Sequence, residues 1–452
     1  MESVNPFNNT IIAEYDEMSE SAVEKTIEKS LLAWHSWKKR SFSSRADLMK
    51  KAAAVLRRNK NELARLITLE MGKLIGESIS EVEKCAMVCD YYADHTESML
   101  NDEFVETDGQ RSFITFQPIG PVLAVMPWNY PFWQVFRFAA PAIMAGNTGL
   151  LKHASNVQGC ALAIEKVFLE AGFPENVFSS LIIGSSKVES VIKNPAIKAV
   201  TLTGSEMAGR YVAEAAGKYL KKSVLELGGS DPFIVLSDAN LMEAAKTGIK
   251  SRMLTSGQTC ISAKRFIVKE DIADQFISLI KNEMEALKAG DPMDPNTTLA
   301  PLAQIRFAHD LHNQISDSVK MGAKVIIGAK YEDNTSYFYP PTILTNITEK
   351  MPVFKEETFG PVAAVITAKN DEEIAEIANN SLFGLGCSIW TEDLQKGEAL
   401  GREIEAGAIF INGLVKSDPR LPFGGMKNSG YGRELSNYGI KEFCNIKTIW
   451  IK

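Results

Sequence analysis

Cysteine is scarce in this chain and never grouped: Cys85, Cys89, Cys160, Cys260, Cys387 and Cys444 are the only six in 452 residues, and no two form a Cys-x-x-Cys pair. That is too few for a disulfide framework, so a reducing compartment, the cytoplasm, is expected. No stretch approaches the roughly 18 consecutive apolar residues of a membrane span. The polar segment from Met1 to Glu14 lacks the basic-then-apolar pattern of a signal peptide. Positive charge is not in excess either: 49 Lys and Arg stand against 56 Asp and Glu, a net of −7. Nucleic acid and anionic membrane surfaces are thereby disfavoured as partners, and small metabolites remain. Cys85 and Cys89, one helical turn apart, read as packing residues, as do His309 and His312, so no metal site is expected. Repeats, low-complexity tracts and long linkers are also missing, and the length calls for two or three domains.

What is present is periodicity that changes along the chain. From Ser19 to Leu100 apolar residues recur every three or four positions, which predicts three helices. Between Phe104 and Phe116 the pattern alternates and predicts a hairpin arm. Strands are expected at Val122 to Met126, Thr148 to Lys152 and Ala199 to Thr203, each leading into a helix, the last from Glu206 to Leu220. This β-α-β order implies an α/β fold with a doubly wound parallel sheet and makes a nucleotide-binding domain plausible. A second α/β block begins near Asp231, with strands at Phe233 to Leu236, Arg265 to Val268, Lys324 to Ile327 and Pro361 to Ile366. The tail from Asn445 to Ile451 alternates like a strand but is too short to stand alone, and pairing with another subunit would satisfy it.

Three places carry chemistry. Ser256-Gly257-Gln258-Thr259-Cys260-Ile261-Ser262 presents one thiol in a small polar loop, the setting of a nucleophile. Val224-Leu225-Glu226-Leu227-Gly228-Gly229 places a carboxylate in an apolar strand, where burial raises its pKa and makes Glu226 a candidate general base. Asn129, between Trp128 and Tyr130-Pro131, is either a turn residue or an amide donor to an oxyanion. The turn at Gly204-Ser205 offers backbone amides at a helix start to a phosphate, although its spacing to Gly209 matches neither a dinucleotide fingerprint nor a P-loop. Lys152 adds a cation at the carboxyl edge of the same sheet.

Pro127-Trp128-Asn129-Tyr130-Pro131, Glu226-Leu227-Gly228-Gly229, Gly257-Gln258-Thr259-Cys260, Glu357-Thr358-Phe359-Gly360-Pro361 and Pro422-Phe423-Gly424-Gly425 occur in this order. With them the chain resembles the aldehyde dehydrogenase superfamily from about residue 10 to its end, and within it the short bacterial succinate semialdehyde dehydrogenases. The resemblance implies that Cys260 attacks the aldehyde, Asn129 steadies the oxyanion, and Glu226 activates water to hydrolyse a Cys260 thioester to the free acid. It also implies that Glu357 and Phe359 serve the nicotinamide side, Trp128, Gly204 and Ser205 the pyrophosphate, and Lys152 the adenine ribose. Ser155 stands where NAD-strict relatives commonly carry a Glu, so both NAD and NADP are expected. The implied architecture is a cofactor domain over residues 1–100 and 119–230, a catalytic domain over 231–436, and an oligomerisation arm over 101–118 and 437–452 of a homodimer or homotetramer.

The substrate expectation rests on Arg137, eight residues after Asn129, where a ligand carboxylate would be its counter-ion, with an internal salt bridge as the alternative. Ser417 and Arg420, in the loop before Pro422-Phe423-Gly424-Gly425, add a hydroxyl and a cation near the tunnel mouth. Some succinate semialdehyde dehydrogenases carry a second arginine six residues before the nucleophile; this chain has Leu254 there and Arg252 two positions earlier, which implies a differently built clamp. Succinate semialdehyde leads as substrate and glutarate semialdehyde follows. The competing readings are a broad or phosphorylated-aldehyde oxidiser and a non-catalytic structural or binding protein on the same scaffold.

Overall fold

The computed structural model describes residues 1–331 and 335–452. Two sheets organise it. The first has six strands in the order Gly430–Tyr431, Lys222–Glu226, Ala199–Thr203, Pro121–Met126, Thr148–His153 and Phe178–Ser180, parallel except for Gly430–Tyr431. The chain leaves Pro121–Met126 toward one edge and returns on its other side at Ala199–Thr203, so the strand order reverses between these neighbours. At such a reversal the loops after the two strands splay apart and leave a crevice at the carboxyl ends. Here those loops are Pro127-Trp128-Asn129 and Gly204-Ser205.

The helix Trp133–Met144 that follows the first of them is buried at every position, its two polar residues Gln134 and Arg137 included, wedged between sheet and helical layer. The second sheet has seven strands in the order Lys324–Ile327, Thr342–Thr345, Val362–Ala368, Arg265–Lys269, Pro232–Val235, Gly386–Trp390 and Ala408–Ile411, antiparallel only at Lys324–Ile327. Its central strands read Pro-Phe-Ile-Val and Arg-Phe-Ile-Val and are almost wholly buried, the pattern of a parallel sheet covered on both faces. The α/β class follows the sequence reading, as do the strands named there, whereas Phe178–Ser180 and Gly430–Tyr431 in the first sheet and Thr342–Thr345, Gly386–Trp390 and Ala408–Ile411 in the second are additions to it.

Three differences have local causes. The segment read as three helices holds four, Glu20–Trp37, Phe42–Arg58, Lys60–Met71 and Ile75–Met99, because Asn59 alone separates the second from the third and the apolar period runs across it. The first residues, read only as polar, form a hairpin of Glu2–Val4 with Ile11–Glu14. The terminal strand Cys444–Ile451, expected to pair with another subunit, pairs antiparallel with Arg111–Pro118 of its own chain, and Glu103–Phe104 completes a three-stranded arm. The alternation was read correctly, but alternation does not reveal which edge a strand will join. No described helix is long and apolar enough to cross a membrane.

Candidate active site

The loop carrying Cys260 is held in an unfavourable backbone conformation. After the helix Leu241–Met253, Thr255 (φ 53°), Ser256 (φ 54°) and Gly257 (φ 81°) are all left-handed, a run that persists only where its surroundings impose it. The Thr255 N–H donates to the Glu77 carboxylate at 3.0 Å, and the Ser256 hydroxyl donates to the Ala300 carbonyl at 2.7 Å. Arg252, fully buried, donates to the carbonyls of Gly257 and Thr358. It is therefore a strut of the nucleophile loop. A Cβ at Gly257 would lie 2.1 Å from the Gly360 carbonyl oxygen, so only glycine fits where the two loops cross.

Cys260 is half-buried between two cavities that both reach its side chain. Burial pushes its thiol up to about 12, against the pull of Lys264 and Arg137, so the resting group is the thiol rather than the thiolate. Asn129 lies beside it. Its Nδ2 donates to the Gln258 carbonyl at 3.0 Å and its Oδ1 accepts from the Tyr130 N–H at 3.1 Å, which fixes the amide plane and leaves the second N–H unspent. Lys264 donates to the carbonyls of Thr259 (2.9 Å) and Cys260 (2.6 Å) and pairs with Glu357 at 3.2 Å. Glu357 also accepts from the Gly229 N–H at 3.1 Å, so one chain of contacts ties three sequence motifs together.

Glu226 ends the strand Lys222–Glu226 with 2 % exposure and no hydrogen-bond partner on either carboxylate oxygen. Burial first, then the nearby Glu434, raises its pKa well above the usual carboxylate range, while Arg137 and Arg433 oppose the rise. Its Oε1 would lie 2.7 Å from a Cβ at Gly424, so it rests against the Phe-Gly-Gly segment. Arg137 is itself buried, pairs with Glu434, reaches Thr203 Oγ1 at 3.3 Å and lies 4.6 Å over the Phe423 ring. Of the two readings of Arg137, the internal ion pair is present in the resting protein.

The larger cavity, about 330 Å³, occupies the crevice at the strand reversal and brings together Trp128, Asn129, Gly204, Ser205, Cys260, Glu357 and Phe359. Trp128 stacks on Phe307 at 4.7 Å and meets Phe359 edge-on at 5.8 Å. Ser205 caps the helix Glu206–Lys218, its hydroxyl accepting from the Ala208 N–H, and Gly204 and Ser205 place this helix start at the wall of the crevice. Lys152 and Ser155 stand outside this cavity, where the strand Thr148–His153 runs into the turn Ser155–Val157. Burial lowers the Lys152 pKa, opposed by the charge of Glu17, whose carboxylate is paired with Lys187. A half-buried cation with a small hydroxyl three residues on suits a phosphate on the adenine ribose, and a helix start at the wall of the crevice suits the pyrophosphate, so these residues fit NADP or NAD.

On the other side of Cys260 a cavity of about 110 Å³ is walled by Arg137 and Ser417. It shares Lys84, Tyr130, Trp133 and Leu254 with an outer cavity of about 280 Å³. Leu254 thus supplies an apolar wall to both cavities, in keeping with the differently built clamp expected from its place in the sequence. Arg420 is not brought to either cavity: its exposed guanidinium forks onto Asp418 at 2.6 and 2.8 Å. Sequence reasoning missed Lys84, Lys264 and Glu434. The four-residue spacing of Cys260 and Lys264 was a usable signal, whereas nothing in the sequence pointed Lys84 or Glu434 at the site.

Comparisons agree with this geometry. The sequence model of the aldehyde dehydrogenase family matches residues 1–449. A protein of Synechocystis sp. named probable succinate-semialdehyde dehydrogenase (NADP(+)) is 48 % identical over 449 residues, covering 99 % of this chain and 99 % of that one. A Mycobacterium bovis protein named succinate-semialdehyde dehydrogenase (NADP(+)) 1 is 44 % identical over 452 residues, again covering 99 % of each. The crystal structure of succinic semialdehyde dehydrogenase from Streptococcus pyogenes in complex with NADP+ superposes with a TM-score of 0.97 at 38 % identity, covering 100 % of this chain and 99 % of that one.

Proposed function

The chain belongs to the aldehyde dehydrogenase family, and from that premise we propose that it oxidises succinate semialdehyde to succinate with NADP or NAD through a thioester on Cys260. The observation that carries the reading is Cys260 placed between a nucleotide crevice and a second cavity walled by cations. The Cys260 sulfur adds to the aldehyde carbon as the C=O π pair moves to oxygen, and the thiol proton passes to solvent through the aldehyde cavity. The free N–H of Asn129 receives the resulting oxyanion; one preorganised donor of this kind contributes about 2.7–4 kcal/mol. A nicotinamide held in the crevice beside Phe359 and Glu357 would supply the acceptor for the hydride that leaves the Cys260-bound carbon as the thioester forms. Glu226, once deprotonated, takes a proton from the water that attacks the thioester, and succinate leaves as the thiol is restored. Phe359 and Trp128 wall the crevice, Glu357 is held by Lys264 and Gly229 to meet a ribose, Gly204 and Ser205 offer amides to the pyrophosphate, and Lys152 with Ser155 takes the adenine end.

Ser417 and Arg137 wall the aldehyde cavity and supply a hydroxyl and positive potential, with Arg420 at its surface loop. The first sheet with its helices (1–100 and 119–230) serves as cofactor domain, the second (231–436) as catalytic domain, and the arm (101–118 and 437–452) as the oligomerisation element of a cytoplasmic homodimer or homotetramer. Exposed Phe104, Ile446, Trp450 and Ile451 on the arm support the last assignment. The experiment is the initial rate of reduced-nicotinamide formation with succinate semialdehyde and with butanal, each with NADP and NAD. The reading expects kcat/KM at least about tenfold higher for the carboxylate-bearing aldehyde, or roughly 1.4 kcal/mol. Equal rates would leave a broad aldehyde oxidiser, and no rate would leave a binding protein on this scaffold.

A further inference from the structure

At the foot of the arm, a cavity of about 740 Å³ opens between the turn at 38–41, the start of the helix Phe42–Arg58 and the end of the strand Arg111–Pro118. It shares no residue with the three cavities of the candidate active site. Lys38, Lys39, Arg40 and Arg45 line it, and no acidic residue does. Among the described residues, none of these four cations forms an ion pair. In a chain whose net charge is −7, such a cluster is a local excess that nothing nearby offsets.

Arg45 is the member that points to a ligand. It is only 4 % exposed, and burial lowers its pKa to about 10, with Cys444 opposing the fall. Its Nη1 donates to the Arg40 carbonyl at 2.8 Å and its guanidinium lies 4.7 Å over the Phe42 ring, but its Nε has no partner among the described residues. The indole N–H of Trp34, on the same wall, is buried and unpartnered as well, with Lys38 Nζ 3.8 Å over the ring. A buried cation with no counter-ion is costly until an anion joins it. The helix Phe42–Arg58 begins here, capped by the Ser41 hydroxyl, which accepts from the Ser44 N–H at 3.2 Å, and its first turn holds no acid, so the positive end of its dipole adds to the field.

We propose that this cavity binds a small molecule of the di- or triphosphate class, at a site separate from the catalytic one. Its volume falls within the roughly 300–1,000 Å³ of small-molecule sites and exceeds what a lone ion fills. Four cations and a helix start match the charge of about three or four that adjacent phosphates carry, whereas a single carboxylate would leave most of them unanswered. Arg45 supplies the fixed, buried end of the site. Lys38, half-buried, and Lys39 and Arg40, exposed, meet the ligand from the solvent side.

Calorimetric titration of the whole protein with pyrophosphate tests this, with NAD saturating the crevice so that the cofactor's own phosphate site is filled. One pyrophosphate per subunit is expected, with an affinity that falls as salt is raised. Arg45→Gln removes the buried contact, and Lys38→Gln/Lys39→Gln/Arg40→Gln removes the outer ones without altering a buried side chain, so the triple variant reports even where Arg45→Gln fails to fold. Each should weaken binding by roughly tenfold or more while kcat and KM for NADP stay unchanged. No binding by the unaltered protein would overturn the proposal, and equal binding by all variants would overturn it by assigning the pyrophosphate to the crevice. Citrate binding as tightly as pyrophosphate would overturn the phosphate class. An unaltered protein that binds no pyrophosphate, with a triple variant that sediments as a smaller species, would show instead that a second copy of the chain supplies the counter-charge.

Discussion

Replacing Glu226 by Gln separates the two halves of the reaction. The carboxyl is buried, unpartnered and close to Glu434, which raises its pKa and favours its neutral form. Gln preserves shape and neutrality, and the fold should tolerate it. What disappears is the carboxylate that forms as pH rises. A positioned base contributes about 10²- to 10⁴-fold, or roughly 2.7–5.5 kcal/mol, so steady-state kcat should fall by that factor while thioester formation continues. Stopped-flow absorbance of reduced nicotinamide should then show a burst of about one equivalent per subunit followed by near-arrest. In the unaltered enzyme the slow phase should accelerate with pH as Glu226 deprotonates, and Glu226→Gln should lose that limb. Stability follows the same linkage. A carboxyl whose folded pKa is raised adds stability that is complete below its unfolded pKa and is lost as pH climbs toward the folded one, so Glu226→Gln should gain on the unaltered protein at alkaline pH and match it near pH 4. A variant with neither burst nor turnover, or with unchanged kcat, would refute the assignment of Glu226.

Gly257→Ala forces a Cβ to within 2.1 Å of the Gly360 carbonyl at a φ of 81°; it should cost about 1–3 kcal/mol in chemical denaturation and reduce kcat/KM as the Cys260 loop shifts. Arg137→Met strands Glu434 without its partner inside the protein and should cost about 3–5 kcal/mol, most of it recovered in Arg137→Met/Glu434→Gln. A stable Arg137→Met that loses only selectivity would instead make Arg137 the direct carboxylate ligand. Ser155→Glu sets a negative charge beside Lys152 and should raise KM for NADP about tenfold or more while that for NAD changes little, which initial-rate titration of each cofactor will show.

Ala199–Thr203 and Arg265–Lys269 are legible because buried parallel strands are written as short apolar runs between turn residues, whereas Gly386–Trp390, with Gly, Cys and Ser in its five residues, carries no such run. The junction at Asn59 was not legible either, since one residue of irregular backbone leaves no gap in a 3.6-residue period. Cys260, Asn129 and Glu226 stood out because thiol, amide and carboxylate in glycine- or proline-bearing turns are chemically conspicuous. Glu434 and Lys84 did not, because charged residues on a loop and on an amphipathic helix usually face solvent, and only packing shows which are turned inward. Arg137 was located correctly on its helix, but its counter-ion lies almost three hundred residues away, beyond the reach of any local pattern.

Intact-protein and peptide mass spectrometry of Glu226→Gln, quenched in acid after mixing with succinate semialdehyde and NADP, tests the central claim most directly. The account predicts one succinyl group per subunit, on the peptide carrying Cys260 and on no other cysteine, formed only when the cofactor is present. A succinyl group on a different residue, or none while reduced nicotinamide accumulates, would contradict it.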